Sequence, residues 1–290
     1  MSVVILPYRE LKPEKISAIK DSFGNFYQNP PPSYYSMAET GNEQYTEDIH
    51  PFHCDLVKCV KPGVSVLEIG CGTAHLCRHV ENAGGRYVGV DHSRELLAKN
   101  QSRYPSARFF PLETLASDLQ EKFDMVVSLY TIEHVVDPPE YLDRMWSYCK
   151  PGGLIGVICP AFVDGDSLAA SIFMGLTPRR FREKLRQGNF IDAACHLFDY
   201  FWAAPRWKKR ARQSPPGAFW INLQPTVLNG GPYTVDADAV HLPRLADLES
   251  YLRQKGAAIL RTSSTMQGIS SQVSRFNCYL LVQKPQTATA

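Results

Sequence analysis

No two of the eight cysteines stand in a CxxC pair, and none shows the spacing of a zinc knuckle. That speaks against a structural zinc site or a disulfide framework, and predicts reduced, mostly buried thiols. Long apolar runs are missing too: none approaches the ~20 residues that cross a bilayer. The first residues, MSVVILPYRE, lack the basic start and the apolar core of about 7–15 residues that mark a signal peptide, so a cytoplasmic location is expected. Nor does one sign of charge dominate. Lys and Arg number 31 against 29 Asp and Glu, a net charge of +2, which gives no overall field to draw in nucleic acid. There is no internal repeat. What is present is ordinary globular text, 44% hydrophobic and 21% charged over 290 residues, enough for one large domain or two small ones.

From Val64 onward, short apolar runs alternate with helical stretches. VSVLEIG, RYVGVD, ARFFPL, FDMVVSLY and GGLIGVICP read as five strands. The segments near Ser93–Tyr104 and Pro139–Cys149 read as helices between them. This rhythm predicts βαβ units and a parallel sheet covered on both faces. It stops after Pro160 and resumes with LADLESYLRQKG, a helix ended by Gly256, followed by two last strands in AAILRTSS and RFNCYLLVQKP. Before Val64, proline-rich text (QNPPPSYYS) separates two short helices, expected near Pro13–Lys20 and Thr46–Val60.

The most informative stretch is VLEIGCGTAHL, Val66 to Leu76. A strand there runs straight into Gly70-Cys71-Gly72, where the absence of side chains lets backbone turn tightly and approach a ligand. Asp91 closes the next strand, 23 residues beyond Glu68, and an acid at that place accepts hydrogen bonds from ribose hydroxyls. His75 stands where a dinucleotide fingerprint needs its third glycine. A ligand with a ribose but no pyrophosphate is expected.

Taken together, VLEIGCGTAHL, GVDHS, FFPLETL and FDMVVSLYTIEHVVDP…LDRMWSYCKPGGLIGV resemble the class I S-adenosylmethionine-dependent methyltransferases, in the branch that holds the ubiquinone-biosynthesis O-methyltransferases. The resemblance covers residues 60–160, the last helix and the last two strands. It implies a Rossmann-like α/β fold: a mostly parallel seven-stranded sheet, helices on both faces, the last strand antiparallel, and a helical lid inserted after strand five. It also implies S-adenosylmethionine as cofactor, with S-adenosylhomocysteine as its product. By the same resemblance Glu68, Gly70, Cys71 and Gly72 surround the methionine part. Asp91 holds the ribose, His92, Leu112 and Glu113 border the adenine, and Leu129 and Tyr130 lie beneath the sulfonium. Cys71 is expected as a passive neighbour.

The expected domain plan is an N-terminal cover over residues 1–60, a core over 61–162 and 241–285, and a basic aromatic insertion over 163–240. Methyl transfer to a hydroxyl needs a base, for which His134 is the first candidate and His241 the second. No metal is assigned, although Asp236 and Asp238 stand beside His241. Tyr34, Tyr35, His50 and His53 belong to the cover. Residues 163–225 hold ten Lys or Arg, five Asp or Glu, and Trp202, Trp207 and Trp220. Thr177-Pro178 predicts a helix start with Arg179 and Arg180 in its first turn, either an anion site for a substrate or ion-pair partners for Asp164 or Asp166 just upstream. Tyr35, Arg179, Arg180 and Trp220 are therefore the candidate substrate residues. Ile191, Ala194, Phe198 and Phe201 recur at helical spacing before the basic run KKRAR. Residues 190–212 thus read either as a substrate lid or as a peripheral membrane contact. The expected acceptor is a metabolite, glycan or lipid-linked small molecule methylated at oxygen. A methyltransferase acting on RNA or protein, and a non-catalytic cofactor-binding subunit, stay open as alternatives. Nucleic acid is not the expected partner.

Overall fold

The computed structural model describes residues 5–28, 30–36, 50–115, 119–177, 179–229, 233 and 236–286. Among these residues ten strands form two sheets. In chain order they are β1 (Ile5–Pro7), β2 (Ser65–Ile69), β3 (Arg86–Asp91), β4 (Arg108–Pro111), β5 (Phe123–Leu129), β6 (Cys149–Pro160), β7 (Trp220–Asn222), β8 (His241–Leu242), β9 (Ala258–Thr262) and β10 (Asn277–Gln283).

The large sheet has the order β4-β3-β2-β5-β6-β10-β9. Strands β2 to β6 pair in parallel, while β10 runs antiparallel to both β6 and β9. Every residue of β2 is buried, as are all but one of β5, which is why both read as continuous apolar runs. Helices on the two faces give two cores. One packs Leu142 and Met145 of the helix Pro138–Tyr148 and Leu248 and Leu252 of the helix Leu245–Gln254 against Ile69, Val126 and Leu280. The other packs Phe52 and Leu56 of the helix Pro51–Lys58 and Leu76 and Val80 of the helix His75–Asn82 against Val66, Val127 and Tyr279. Strand order reverses between β2 and β5, so a crevice opens at the carboxyl ends of those strands.

The small sheet was not foreseen. It has the order β1-β7-β8, antiparallel throughout, and joins the N-terminal segment to the insertion that the sequence reading treats as separate. Its strands are two or three residues long, too short for alternation to show in the sequence. The first helix runs over Pro13–Gln28, eight residues past its expected end, and buries Ile19 and Phe23 against Val136, Ile221 and Val240. The second begins at Pro51 with His50 as its cap; Thr46–Ile49 lie outside the described residues.

The expected start at Thr177-Pro178 is corrected. The helix there covers Phe181–Arg186, and its N-cap is Arg180. Thr177 instead donates its hydroxyl to Asp192 at 2.5 Å, which holds the chain out of helical geometry, and Pro178 lies outside the described residues. A continuous helical run follows from Phe190 to Gln213. Its middle, Asp199–Ala203, widens into π-helical turns just before Pro205, whose ring and missing N–H forbid an ordinary helical bond at that point. Among the described residues no helix is long and apolar enough to cross a membrane.

Candidate active site

The chain leaves β2 through a turn that only glycine fits. Gly70 has φ +78° and Gly72 φ +50°, and a Cβ on Gly70 would sit inside the side chain of Thr131. Thr131 holds this approach by donating its hydroxyl to the carbonyl oxygens of Gly70, at 3.0 Å, and Leu129, at 3.1 Å. The amides of Gly70 and Cys71 donate to the Val90 carbonyl at 2.7 and 2.9 Å, which fastens the turn to the end of β3. There Asp91 accepts from the amides of Gly72 and Ser93, each at 2.8 Å. Asn100 completes the clamp by donating to the Gly72 carbonyl at 2.7 Å. Across the turn Tyr130 is also left-handed, with φ 51°, strain that its amide bond to Ile158 and its hydroxyl bond to Asn277, both 2.8 Å, help to hold.

These elements wall a cavity of about 860 Å³. Glu68, Gly70, Cys71, Gly72, Asp91, His92, Leu112, Glu113, Leu129 and Tyr130 all line it. Glu68 is buried and accepts from the Tyr87 hydroxyl, and burial pushes its carboxyl up to about 8. His92 and Glu113 pair at 2.8 Å on the rim. Burial raises the Cys71 thiol well above its ordinary value, so it is no nucleophile at neutral pH.

The other end of the cavity is aromatic and acidic. Phe23 and Tyr27 of the first helix line it together with Tyr34 and Tyr233. Tyr27 stacks on His92, with ring centres 6.3 Å apart, and donates its hydroxyl to Asp238 at 2.7 Å. His134 lies beside them, with Nδ1 3.3 Å from Asp238 Oδ1 and Nε2 3.9 Å from Glu133 Oε1. Burial works against its charge, but Asp238, Glu133 and Asp236 together hold its pKa above the usual 6.5. Burial pushes Glu133 up to about 8 and Asp236 up to about 6. Glu133, His134 and Asp236 each bring one ligand atom within 4.8 Å of the others, two carboxylates and an imidazole of the kind that can take a divalent cation. From the sequence the alternating acids Asp236 and Asp238 read as turn formers, so no metal is assigned to them there.

Several candidates fall elsewhere. His241 is fully buried behind the turn, where its Nδ1 bonds the Ile132 carbonyl at 3.0 Å, and burial lowers its pKa to about 4. It holds the Glu133–His134 turn in place and does not line the cavity. Tyr35 also stands outside the lining, under Lys99, while its neighbour Tyr34 is in it. Arg179 pairs with Gln187, Arg180 caps an exposed helix, and Trp220 is buried against Trp207. None of the three reaches the cavity, because the segment that carries the arginines packs on the helix from Phe190 instead. Phe23, Tyr27, Thr131 and Tyr233 were missed. The recurrence of Ile16, Ile19, Phe23 and Tyr27 at helical spacing was the available signal for the first two.

A reversed strand order, an antiparallel penultimate-position strand, a glycine turn after β2 and a carboxylate ending β3 together define a class I S-adenosylmethionine-dependent methyltransferase. A family model described as a methyltransferase domain matches residues 37–261, and the chain belongs to that family. It is similar to a ubiquinone biosynthesis O-methyltransferase of Nitrobacter winogradskyi, 32% identical over 32% of this chain and 37% of that protein. A protein of the same name from Rhodopseudomonas palustris is 25% identical over 52% of each chain. The chain thus spans about a third to a half of the length of these curated relatives. Among solved structures it resembles an S-adenosylmethionine-dependent methyltransferase of Mesorhizobium loti, 13% identical, TM-score 0.49, over 80% of this chain and 98% of that one. The cavity suits the cofactor of the class: a buried carboxyl for its amino group, a close backbone approach at Gly70, and Asp91 for a ribose.

Proposed function

We propose that the chain transfers a methyl group from S-adenosylmethionine to a hydroxyl oxygen of a small, aromatic or otherwise planar acceptor. The observation that carries this reading is His134, set among Asp238, Glu133 and Asp236 in the wall of the same cavity as the glycine turn and Asp91. Glu68, Gly70 and Gly72 would hold the amino-acid end of the cofactor, Asp91 its ribose, and His92, Leu112 and Glu113 its base. When bound, the cofactor supplies an electrophilic methyl group on sulfur.

The chain's own contribution is positioning and a proton acceptor. Phe23, Tyr27, Tyr34 and Tyr233 give the acceptor flat apolar walls and exclude water. Asp238 and Glu133 stand beside the His134 ring and favour its charged form, so the neutral ring would accept the proton of the acceptor hydroxyl as oxygen takes the methyl group. Oxygen is supported by the presence of such a base, which an amine acceptor held neutral does not need, and by the names of the O-methyltransferases that the chain resembles.

The test presents pure protein and methyl-labelled S-adenosylmethionine to a cell extract split into lipid, aqueous small-molecule, nucleic-acid and protein fractions. Label is expected in the lipid or aqueous fraction, in a product stable as an ether. Label in nucleic acid or protein overturns the proposal. With the acceptor in hand, His134→Ala is expected to lower kcat by ~10²–10⁴-fold. For the unaltered chain, kcat/KM is expected to rise with pH through an ionisation above 6.5, because the base works in its neutral form and its neighbours hold the proton on.

A further inference from the structure

Polarity is inverted along the helical run from Phe190 to Gln213. A helix on the surface of a water-soluble fold turns its charges outward and its apolar stripe inward. Here the acids of the first turns point in. Asp192 is fully buried and pairs with the equally buried Lys184 at 2.6 Å. It also accepts from the Leu176 amide at 2.7 Å, and Lys184 donates to the Thr177 carbonyl at 2.8 Å and to that of Met174. Asp199 accepts from the Gly175 amide at 2.7 Å. This network anchors the polar face to the protein and turns the other face out. Phe190, Ile191, Phe198, Phe201 and Trp202 are between 54% and 74% exposed, and Tyr200 is 56% exposed. Of the eleven large apolar side chains exposed among the described residues, nine fall between Leu176 and Trp202. The exposure is therefore a patch, not scatter.

Cations border that patch. Arg206, Lys209, Arg210 and Arg212 are all exposed, and among the described residues no carboxylate pairs with any of them. Arg206 sets its guanidinium 5.0 Å from the centre of the exposed Trp202 ring. At the other end, Arg180, Arg182 and Arg186 are exposed as well.

We propose that the outward face of residues 190–212 binds the surface of an anionic lipid bilayer, with the helix lying in the interface. Exposed Phe and Ile would enter the acyl boundary, Trp202 and Tyr200 the headgroup level, and the flanking cations the anionic headgroups. The run is about 36 Å long at ~1.5 Å per residue, and no described helix can span a membrane, so it lies on the surface. A second copy of the chain is the poorer occupant. A two-fold contact would set one row of cations near another, and the acids of the run itself, Asp192 and Asp199, are turned inward into the network just described. The proposal is independent of the methyl-transfer reading, since none of these residues lines the cavity.

The test measures co-sedimentation of the whole chain with vesicles of phosphatidylcholine alone and with about one-third phosphatidylglycerol. Binding is expected to the anionic vesicles, with a blue shift of tryptophan emission and a loss of binding at high salt. Phe198→Glu with Phe201→Glu is expected to lower the partition coefficient at least ~10-fold, and each of Lys209→Gln and Arg210→Gln about fivefold. All four sites are exposed, so unchanged circular dichroism and Tm are expected and certify the fold. Absence of binding to anionic vesicles overturns the proposal, as does equal binding to neutral ones. A concentration-dependent dimer that the Phe198→Glu, Phe201→Glu variant dissociates overturns it in favour of a second copy.

Discussion

Glu68 lies near the carboxyl end of a fully buried strand, and a carboxylate there has lost its water without gaining a cation. Burial, aided by the charge of Asp91 and opposed by the Tyr87 hydroxyl, lifts its pKa from 4.5 to about 8. The consequence for stability has a definite sign. Between those values the folded chain keeps a proton that the unfolded chain releases, so stability falls as pH rises. Each such group contributes a slope of about 1.4 kcal/mol per pH unit. Glu133, also lifted to about 8, adds a second. The useful window is pH 6.5 to 8, because the buried His53 and His241, held at about 3 and 4, stop contributing above the unfolded value of 6.5. In that window Tm of the ligand-free chain is expected to fall, and Glu68→Gln to remove part of the fall, the rest coming from Glu133 and from His134, which also holds its proton above 6.5 in the folded chain. Equal slopes for the two proteins would show that Glu68 is ionised throughout. Residue types carried much of this site in the sequence. Glycine in Gly70 and an acid at Asp91 are demanded by local backbone and chemistry, so both could be read before any fold was known.

At the scale of elements, the insertion is fastened to the core by one buried cation. Arg244, just before the helix Leu245–Gln254, donates to the carbonyl oxygens of Ala211 at 2.5 Å, Ser214 at 2.9 Å and Pro215 at 3.0 Å. It also pairs with the fully buried Asp247 at 2.5 Å, and Asp247 in turn accepts from the Gly217 amide at 2.7 Å. The end of the long helical run and the start of the last core helix are thereby one unit. Arg244→Met leaves Asp247 buried without its partner, and a loss of about 3–5 kcal/mol in urea unfolding is expected. Arg244→Met with Asp247→Leu is expected to recover part of it, since no uncompensated charge then remains. The helix Leu245–Gln254 itself was legible from the spacing of Leu245, Leu248 and Leu252. The helix start at Thr177 was misread because a Thr-Pro pair carries the same local signal whether its hydroxyl caps the next turn or, as here, bonds a distant Asp192.

Over the whole molecule none of the eight cysteines is in a disulfide, and five of them, Cys71, Cys77, Cys149, Cys159 and Cys278, are buried in or beside the large sheet. Native labelling by a thiol reagent is expected to modify no more than Cys54, Cys59 and Cys195 quickly, and all eight in denaturant, as counted by intact mass. Fast modification of a fourth thiol would mean that a core strand opens on the labelling timescale. The two cores on either face of the large sheet explain why this sheet was readable: parallel strands covered on both sides become apolar runs whatever the rest of the chain does.

The sequence by itself determined the order of strands and helices in the core, the glycine turn after β2, the acid at the end of β3 and hence the family. Each depends on residues near one another in the chain, through periodicity, turn geometry or a short motif. Only the tertiary structure decided which side chains meet at the far end of the cavity. Tyr27, His134 and Asp238 come from three segments more than 100 residues apart at the extremes, and nothing local places the histidine beside the acid. It also decided that the small sheet joins the N-terminal segment to the insertion, and which face of the helical run from Phe190 looks outward. The spacing of Ile191, Ala194, Phe198 and Phe201 defines a face. The direction of that face was set by the Lys184–Asp192 pair on the opposite side, a contact that exists only once the chain is folded.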